Sequence, residues 1–247
     1  MKVFIYDGSF DGLLTAVFYA YGYKDECRIE RECNHEMNFM NIEVNVKTEE
    51  DKAERVIKSI RHKLNNDVFN NVYAAYLSDF RDADTLILKY LNLCYRHGPS
   101  INLAKNNDII IKIDKYVKKV YREAHNFEGF IRFKQVAPMS FYSSIEPDHN
   151  ILPLLIDFFA KRFSDQNFII HDLKRDKAIA YNMDTAIITN LDREYSKRFE
   201  HSDCDGEFER LWKTFYKATD IKERENLRLQ RQLMPKRYWK HITEVKN

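Results

Sequence analysis

Three groups of residues in this chain have the types and spacing to do chemistry. The first is acidic and imidazole-bearing: Glu146-Pro147-Asp148-His149, then His171-Asp172, with Asp7 in the turn Tyr6-Asp7-Gly8-Ser9-Phe10-Asp11-Gly12. Carboxylates beside an imidazole can move protons near neutral pH or ligate a metal. The second is basic and aromatic. Between Lys222 and Lys240, Arg224, Arg228, Arg231, Lys236, Arg237 and Lys240 are interleaved with Gln230, Gln232, Tyr238 and Trp239. Cations attract phosphates, Arg and Gln can read or stack on bases, and Tyr and Trp offer faces to unpaired ones. The third is a stripe of Lys112, Lys115, Lys118, Lys119 and Arg122, which share a sector of about 120° on a helix stepping ~100° per residue.

Each group also has a plain structural explanation. Ser9 or Asp7 can be an N-cap, and two carboxylates beside that turn would repel a phosphate. Asp148 and His149 can be helix-entry residues, and His171-Asp172 a strand-end hydrogen-bonding pair. Lys115 and Lys119 can belong to a solvated helix face, and the C-terminal run to a charged surface helix with an aromatic anchor. The turn lacks the Gly-x-Gly-x-x-Gly and Walker patterns, and no iron–sulfur, deaminase or nucleophile-elbow spacing occurs elsewhere. No cofactor is expected.

The elements that must position these groups follow from hydrophobic period. Val3 to Tyr6 reads as a buried strand and Phe10 to Tyr21 as an apolar helix, a βα unit ended by Gly22. Ile42 to Val46 alternates like a strand. Thr48 and Asp51 resemble a capping pair before a helix toward Leu64, with further helices at about 68–77, 84–95 and 108–124. After Phe127-Glu128-Gly129 the period changes. Strands are expected at 130–136 and 141–145, a helix capped by Asn150 runs to Phe163, and strands follow at 168–172 and 178–181. Helices are expected from Glu207 to Lys217 and Glu223 to Gln232. The fold class is α+β: an N-terminal βα unit, a helical middle, and a C-terminal ββαββ block followed by helices, divided as 1–126 and 127–247.

Composition bounds the rest. A chain of 247 residues, 44% hydrophobic and 14% aromatic, can bury a sizeable core, and only six Gly and five Pro leave little material for linkers. The apolar stretch Ile151 to Ala160 is broken by Pro153 and Asp157, far short of the roughly 20 residues that span a bilayer. Asp7 arrives before a signal-peptide core can form, and the four cysteines have no short paired spacing. A cytoplasmic location and no membrane association are expected. Residues 1–50 hold five basic and ten acidic side chains, whereas 201–247 hold eleven and eight, so a polyanion should favour the C-terminal half.

Four blocks carry a resemblance across nearly the whole chain: Tyr6 to Leu14, Phe130-Ile131-Arg132-Phe133 through Ile145 to Asn150, Ile170-His171-Asp172, and Arg228-Leu229-Gln230-Arg231-Gln232-Leu233-Met234-Pro235-Lys236-Arg237-Tyr238-Trp239. In this order they resemble a bacterial family of DNA-repair or DNA-metabolism proteins. Asp7, Ser9, Arg132, Glu146, Asp148, His149, His171, Asp172, Arg228, Arg231, Arg237 and Trp239 match its recurring positions. Between about residues 34 and 126 nothing is carried over. The resemblance implies DNA as a partner, joint action with a radical-SAM DNA modification or repair protein, and kinship with a domain found fused to uracil-DNA-glycosylase-like domains. It supplies no reaction.

Two readings of different kinds follow. One is a DNA-binding accessory protein whose phosphate contacts come from Lys115, Lys119, Arg132, Arg228, Arg231, Lys236 and Arg237, with Tyr238 and Trp239 stacking or anchoring. The other is an enzyme acting on a nucleic acid or nucleotide through Asp7, Glu146, Asp148, His149, His171 and Asp172. A protein-docking scaffold is a third. The enzyme reading needs residues 146–149 and 171–172 to lie in one neighbourhood.

Overall fold

The computed structural model describes residues 1–23, 27–196, 214 and 226–243. The chain divides into two compact units, Met1–Val120 and Tyr121–Asn247.

In the first unit, β1 (Lys2–Tyr6) is the middle of a parallel three-stranded sheet, with β2 (Cys27–Arg31) on one side and β3 (Ile42–Asn45) on the other. A central parallel strand is covered on both faces, which is why Val3-Phe4-Ile5-Tyr6 is an unbroken apolar run buried at every position. Ser9 caps α1 (Phe10–Ala20) by accepting from the Gly12 N–H at 2.9 Å. Leu13, Leu14, Ala16, Val17 and Ala20 of α1 pack into one core with apolar residues of α2 (Glu50–Lys63), α3 (Asn66–Leu77) and α4 (Ala83–His97). β2 is absent from the sequence expectation. Only Cys27 and Ile29 of Cys27-Arg28-Ile29-Glu30-Arg31 face the core, so its alternation is hidden among charges.

Helix α5 (Asp108–Phe130) has its first turns in the first unit and its last in the second. It outruns the expected end at Ala124 because the buried positions Val120, Ala124 and Phe127 continue the same stripe, and Ile131 is buried just beyond it. The Arg132 guanidinium then donates to the carbonyls of Gly129 (2.6 Å) and Ile131 (3.2 Å), satisfying the helix C-terminus. The first C-terminal strand therefore starts later than expected, as β4 (Lys134–Ala137). The boundary expected at 126/127 falls at 120/121, inside this helix.

The second unit holds a five-stranded sheet in the order β4-β5-β6-β7-β8, with β5 Ser140–Ile145, β6 Asn167–Asp172, β7 Lys177–Asn182 and β8 Ala186–Asn190. The α+β class is as expected, and β8 extends the block to ββαβββ. β5 and β6 are parallel, joined through α6 (Leu152–Arg162), and the other pairs are antiparallel. Phe133, Phe159, Phe163, Phe168 and Tyr181 form a continuous aromatic cluster, with Phe168–Tyr181 centroids 4.9 Å apart.

Two helix starts differ from expectation. α2 begins after Glu49 with no side-chain cap, because the Thr48 hydroxyl is turned to Asp7 instead. α6 begins after Ile151, not Asn150, and Pro153 sits in the first turn, where its missing N–H costs nothing. The expected helix at Glu207–Lys217 lies outside the described residues, apart from Thr214, as does the start of the one at Glu223. Its remainder is α7 (Leu227–Leu233), followed after Pro235 by a 3₁₀ segment, Lys236–His241.

Phe168 is 1% exposed at the centre of the aromatic cluster. Phe168→Ala is expected to destabilise the second unit by about 3–5 kcal/mol, read as a lowered denaturant midpoint.

Candidate functional site

The register that pairs Ile145 with Asp172 ends β5 and β6 side by side, so the segments after them meet. Residues 146–149 and 171–172 do share one neighbourhood. The Arg175 guanidinium spans it, donating to Asp172 Oδ2 (2.7 Å), the Asp148 carbonyl (2.7 Å) and the Pro147 carbonyl (3.2 Å). Lys174 Nζ adds a bond to the Asp148 carbonyl at 3.0 Å.

Proximity does not make His171 and Asp172 available for chemistry. His171 is fully buried between the Tyr142 hydroxyl, 2.9 Å from Nδ1, and the Leu191 carbonyl, 2.9 Å from Nε2. A carbonyl only accepts, so Nε2 carries the proton and Nδ1 accepts from the phenol. Burial lowers the imidazole pKa, and the Leu191 bond with Asp176, Asp172 and Asp192 only partly opposes it. Asp172, also fully buried, has its pKa raised by desolvation, with Arg175 and the Lys174 and Arg175 N–H groups pulling it back. Both are closed hydrogen-bonding groups.

The loop itself hangs on Glu123, a residue of α5 that is 7% exposed. Its Oε1 accepts from the Asp148 N–H and its Oε2 from the His149 N–H, each at 2.8 Å, and Oε1 also accepts the Tyr238 hydroxyl. Tyr238 is 3% exposed, with its ring 4.8 Å from Phe127, and burial pushes its phenol well above the ordinary range. It presents no face to a base. The sequence carried a signal for Glu123: a carboxylate at a position on the apolar stripe of α5 has to be bonded to something buried.

The outer carboxylates of the loop are held by the C-terminal segment. Glu146 accepts from Arg193 at 2.8 Å and from Lys240, and Asp148 accepts from Arg237 at 2.5 Å. Partial burial opposes ionisation of Glu146, but the Lys240 bond and the charges of Lys240, His241 and Arg193 outweigh it and lower its pKa. His241 Nδ1 lies 3.2 Å from Ser144 Oγ. His149 is buried. Arg237 is thus paired within the protein although its side chain is 55% exposed, whereas Arg228, Arg231 and Lys236 are exposed and make no ion pair among the described residues. Trp239 is half-buried, its indole N–H donating to the Met234 carbonyl at 2.9 Å, with the Lys236 ammonium 5.8 Å from its ring.

In the first unit, Asp7 ends β1 where the chain passes to β2 on one side and β3 on the other, the usual ligand position of an open parallel sheet. The turn is filled by its own carboxylate. Asp7 Oδ1 accepts from Ser9 N (2.9 Å) and Ser9 Oγ (2.7 Å), and Oδ2 from Thr48 Oγ1 (2.8 Å). Slight burial works against ionisation, but these bonds prevail and its pKa is lowered. A Cβ on Gly12 would overlap Asp7, Ser9 and Thr48 oxygens, so the carboxylate lies directly over the helix start. Gly8 takes the left-handed φ of 85°, and its carbonyl accepts from the Tyr76 hydroxyl at 2.9 Å. At the end of β2, Arg31 meets the buried Asp84 at 3.1 and 3.3 Å and bonds Tyr6 and the Tyr76 carbonyl. On α5, Lys112 pairs with Asp82 and Lys118 with Asp114, Lys119 lies 4.9 Å from the Phe80 ring centroid, and Lys115 is exposed.

Among the described residues no three His, Cys, Asp or Glu side chains are gathered to hold a metal, and no helix is long and apolar enough to cross a membrane. Residues 81–244, more than half the chain, match the domain of unknown function DUF4130, and the protein belongs to that family. No curated protein matches it. The match covers α4 onward and leaves the Asp7 turn outside.

Two outcomes test this description. Glu123→Ala orphans two backbone N–H groups and the Tyr238 hydroxyl, and is expected to cost about 2–5 kcal/mol and speed amide exchange at Asp148 and His149. Glu123→Gln recovers only part, since its amide NH2 opposes one of the same donors. For His171, a folded pKa below the ordinary 6.5 means the unfolded chain binds the proton first. Stability is thus complete above pH 6.5 and falls as pH drops through that value until the folded imidazole titrates. Unfolding midpoints between pH 7.5 and about 5 should show this slope in the wild type and a smaller one in His171→Asn.

Proposed function

We propose that this protein is a DNA-binding accessory component of a DNA repair or modification system, acting with a radical-SAM protein. The observation that carries the reading is the exposed set Arg228, Arg231 and Lys236, without ion pairs among the described residues, with Lys236 5.8 Å from the ring of the half-buried Trp239. Exposed guanidinium and ammonium groups without carboxylate partners are the form in which cations are available to phosphates. The four-block resemblance to DNA-repair or DNA-metabolism proteins supplies the substrate class and the radical-SAM partner.

Binding is preferred over catalysis because the best acid/base candidates have other employment. His171 and Asp172 are buried and bonded, Glu146 and Asp148 are ion-paired, and Asp7 is held by Ser9 and Thr48.

Titration of labelled single- and double-stranded DNA at low salt, without the partner, should show binding that weakens with salt. Each phosphate contact adds about 0.9 to the slope of log affinity against log salt on duplex DNA, so Arg228→Ala with Arg231→Ala should flatten it by up to roughly 2 while leaving the fold intact. Trp239→Ala should lower the melting temperature if the indole anchors the segment. Lost single-strand affinity at an unchanged melting temperature marks stacking instead. Absence of binding by the folded protein to either DNA would transfer the basic run to a protein-docking role.

A further inference from the structure

The first unit contains a cleft of about 570 Å³, the size of an ordinary small-ligand site, between α1, α2 and α4. One wall is aromatic: Phe18 and Tyr21 from α1 and the turn after it, and Tyr95 from α4. Tyr21 and Tyr95 meet edge to face, with centroids 5.6 Å apart and planes at 86°, and the Tyr95 hydroxyl is fixed by a 2.9 Å bond to Ser59 Oγ. Along α2 the cleft is lined by the cations Arg55, Lys58 and Lys63 and by His62. Among the described residues no carboxylate lines the cleft.

The bland explanation covers only part of this. A cation in the last turn of a helix complements its dipole, which accounts for Lys63. It does not account for Arg55 and Lys58 nearer the middle. Arg55 lies with its guanidinium carbon 5.3 Å from the Phe18 ring centroid, and Lys58 is paired with Glu54 on the surface, both side chains more than 60% exposed. Such a pair yields readily to a competing anion. Arg55, His62 and Lys63 make no ion pair among the described residues.

We propose that this cleft binds a nucleotide unit, the base lying on the aromatic wall and the phosphate on the α2 cations. The shared chemistry is a planar π-face joined to an anion, and it can come from a single strand or from a free nucleotide. The site rests on its own lining and needs nothing from the C-terminal basic run.

The test uses the full chain and a fluorescein-labelled oligothymidylate, with thymidine monophosphate, inorganic phosphate and poly-glutamate as competitors. A bromodeoxyuridine-substituted oligonucleotide, crosslinked by light, should attach to a peptide containing Tyr21 or Tyr95. Tyr21→Ala should weaken binding about tenfold and Tyr21→Phe should retain it, as expected for loss of one base stack. Arg55→Ala with Lys63→Ala should reduce the single-strand salt slope by up to about 1.4. Competition by the mononucleotide assigns the free nucleotide, and binding of the oligonucleotide alone assigns the strand. Both support the site. Displacement by poly-glutamate or phosphate as effectively as by nucleotide would show charge without base recognition and overturn it. Unchanged affinity in these variants beside lost affinity in Arg228→Ala/Arg231→Ala would also overturn it, leaving the C-terminal reading standing. The reverse pattern would do the opposite.

Discussion

The second unit depends on one buried carboxylate. Glu123 bonds two consecutive backbone N–H groups and one phenol, so the loop after β5, helix α5 and the C-terminal 3₁₀ segment meet on a single pair of oxygens. A carboxylate accepting backbone N–H bonds away from water is strongly bound because neither side has an equivalent partner left. Its position fixes the rest. With Asp148 and His149 held by their N–H groups, the side chains of Glu146 and Asp148 point to Lys240 and Arg237, and Arg175 closes the carbonyl side of the same loop.

The first unit has a counterpart at the open end of its parallel sheet. Arg31, Asp84 and Tyr6 form a network with little exposure, in which burial raises the carboxyl pKa of Asp84 and the guanidinium works against that rise. Such a pair is retained because removing either member leaves an uncompensated charge, not because the pair adds much stability. Asp7 completes the pattern from the β1 side. The position where a doubly wound sheet holds a phosphate is taken by the protein's own anion.

Much of this was legible in the sequence, because hydrophobic period reports which face is buried. Val3 to Tyr6 reads as a buried strand, and the stripe of α5 is plain from Ile113 to Val120, although its continuation to Phe127 is not. What was not legible has physical causes. In β2 only two of five residues face inward, and four of the five residues of the edge strand β8 are exposed, so neither carries a clean period. The convergence of residues 146–149 with 171–172 followed from strand-end reasoning. Whether their side chains would be open or consumed did not, since that depends on Arg175, Arg193, Lys240 and Leu191, none of which is close in sequence to the loop at Glu146.

The C-terminal run shows the same limit most clearly. On paper its cations are equivalent, yet the structure divides them. Arg237 and Lys240 neutralise Asp148 and Glu146, so a polyanion that recruited either would have to break an existing ion pair and leave a carboxylate beside the phosphate. Tyr238 is equally committed, since exposing its ring would take its hydroxyl from Glu123 and its face from Phe127. Arg228, Arg231 and Lys236 carry no such cost among the described residues. The docked half of the run positions the exposed half. An intramolecular clamp at Glu123, Glu146 and Asp148 thus holds the Lys236–His241 segment, where the exposed Lys236 lies 5.8 Å from the ring of the half-buried Trp239.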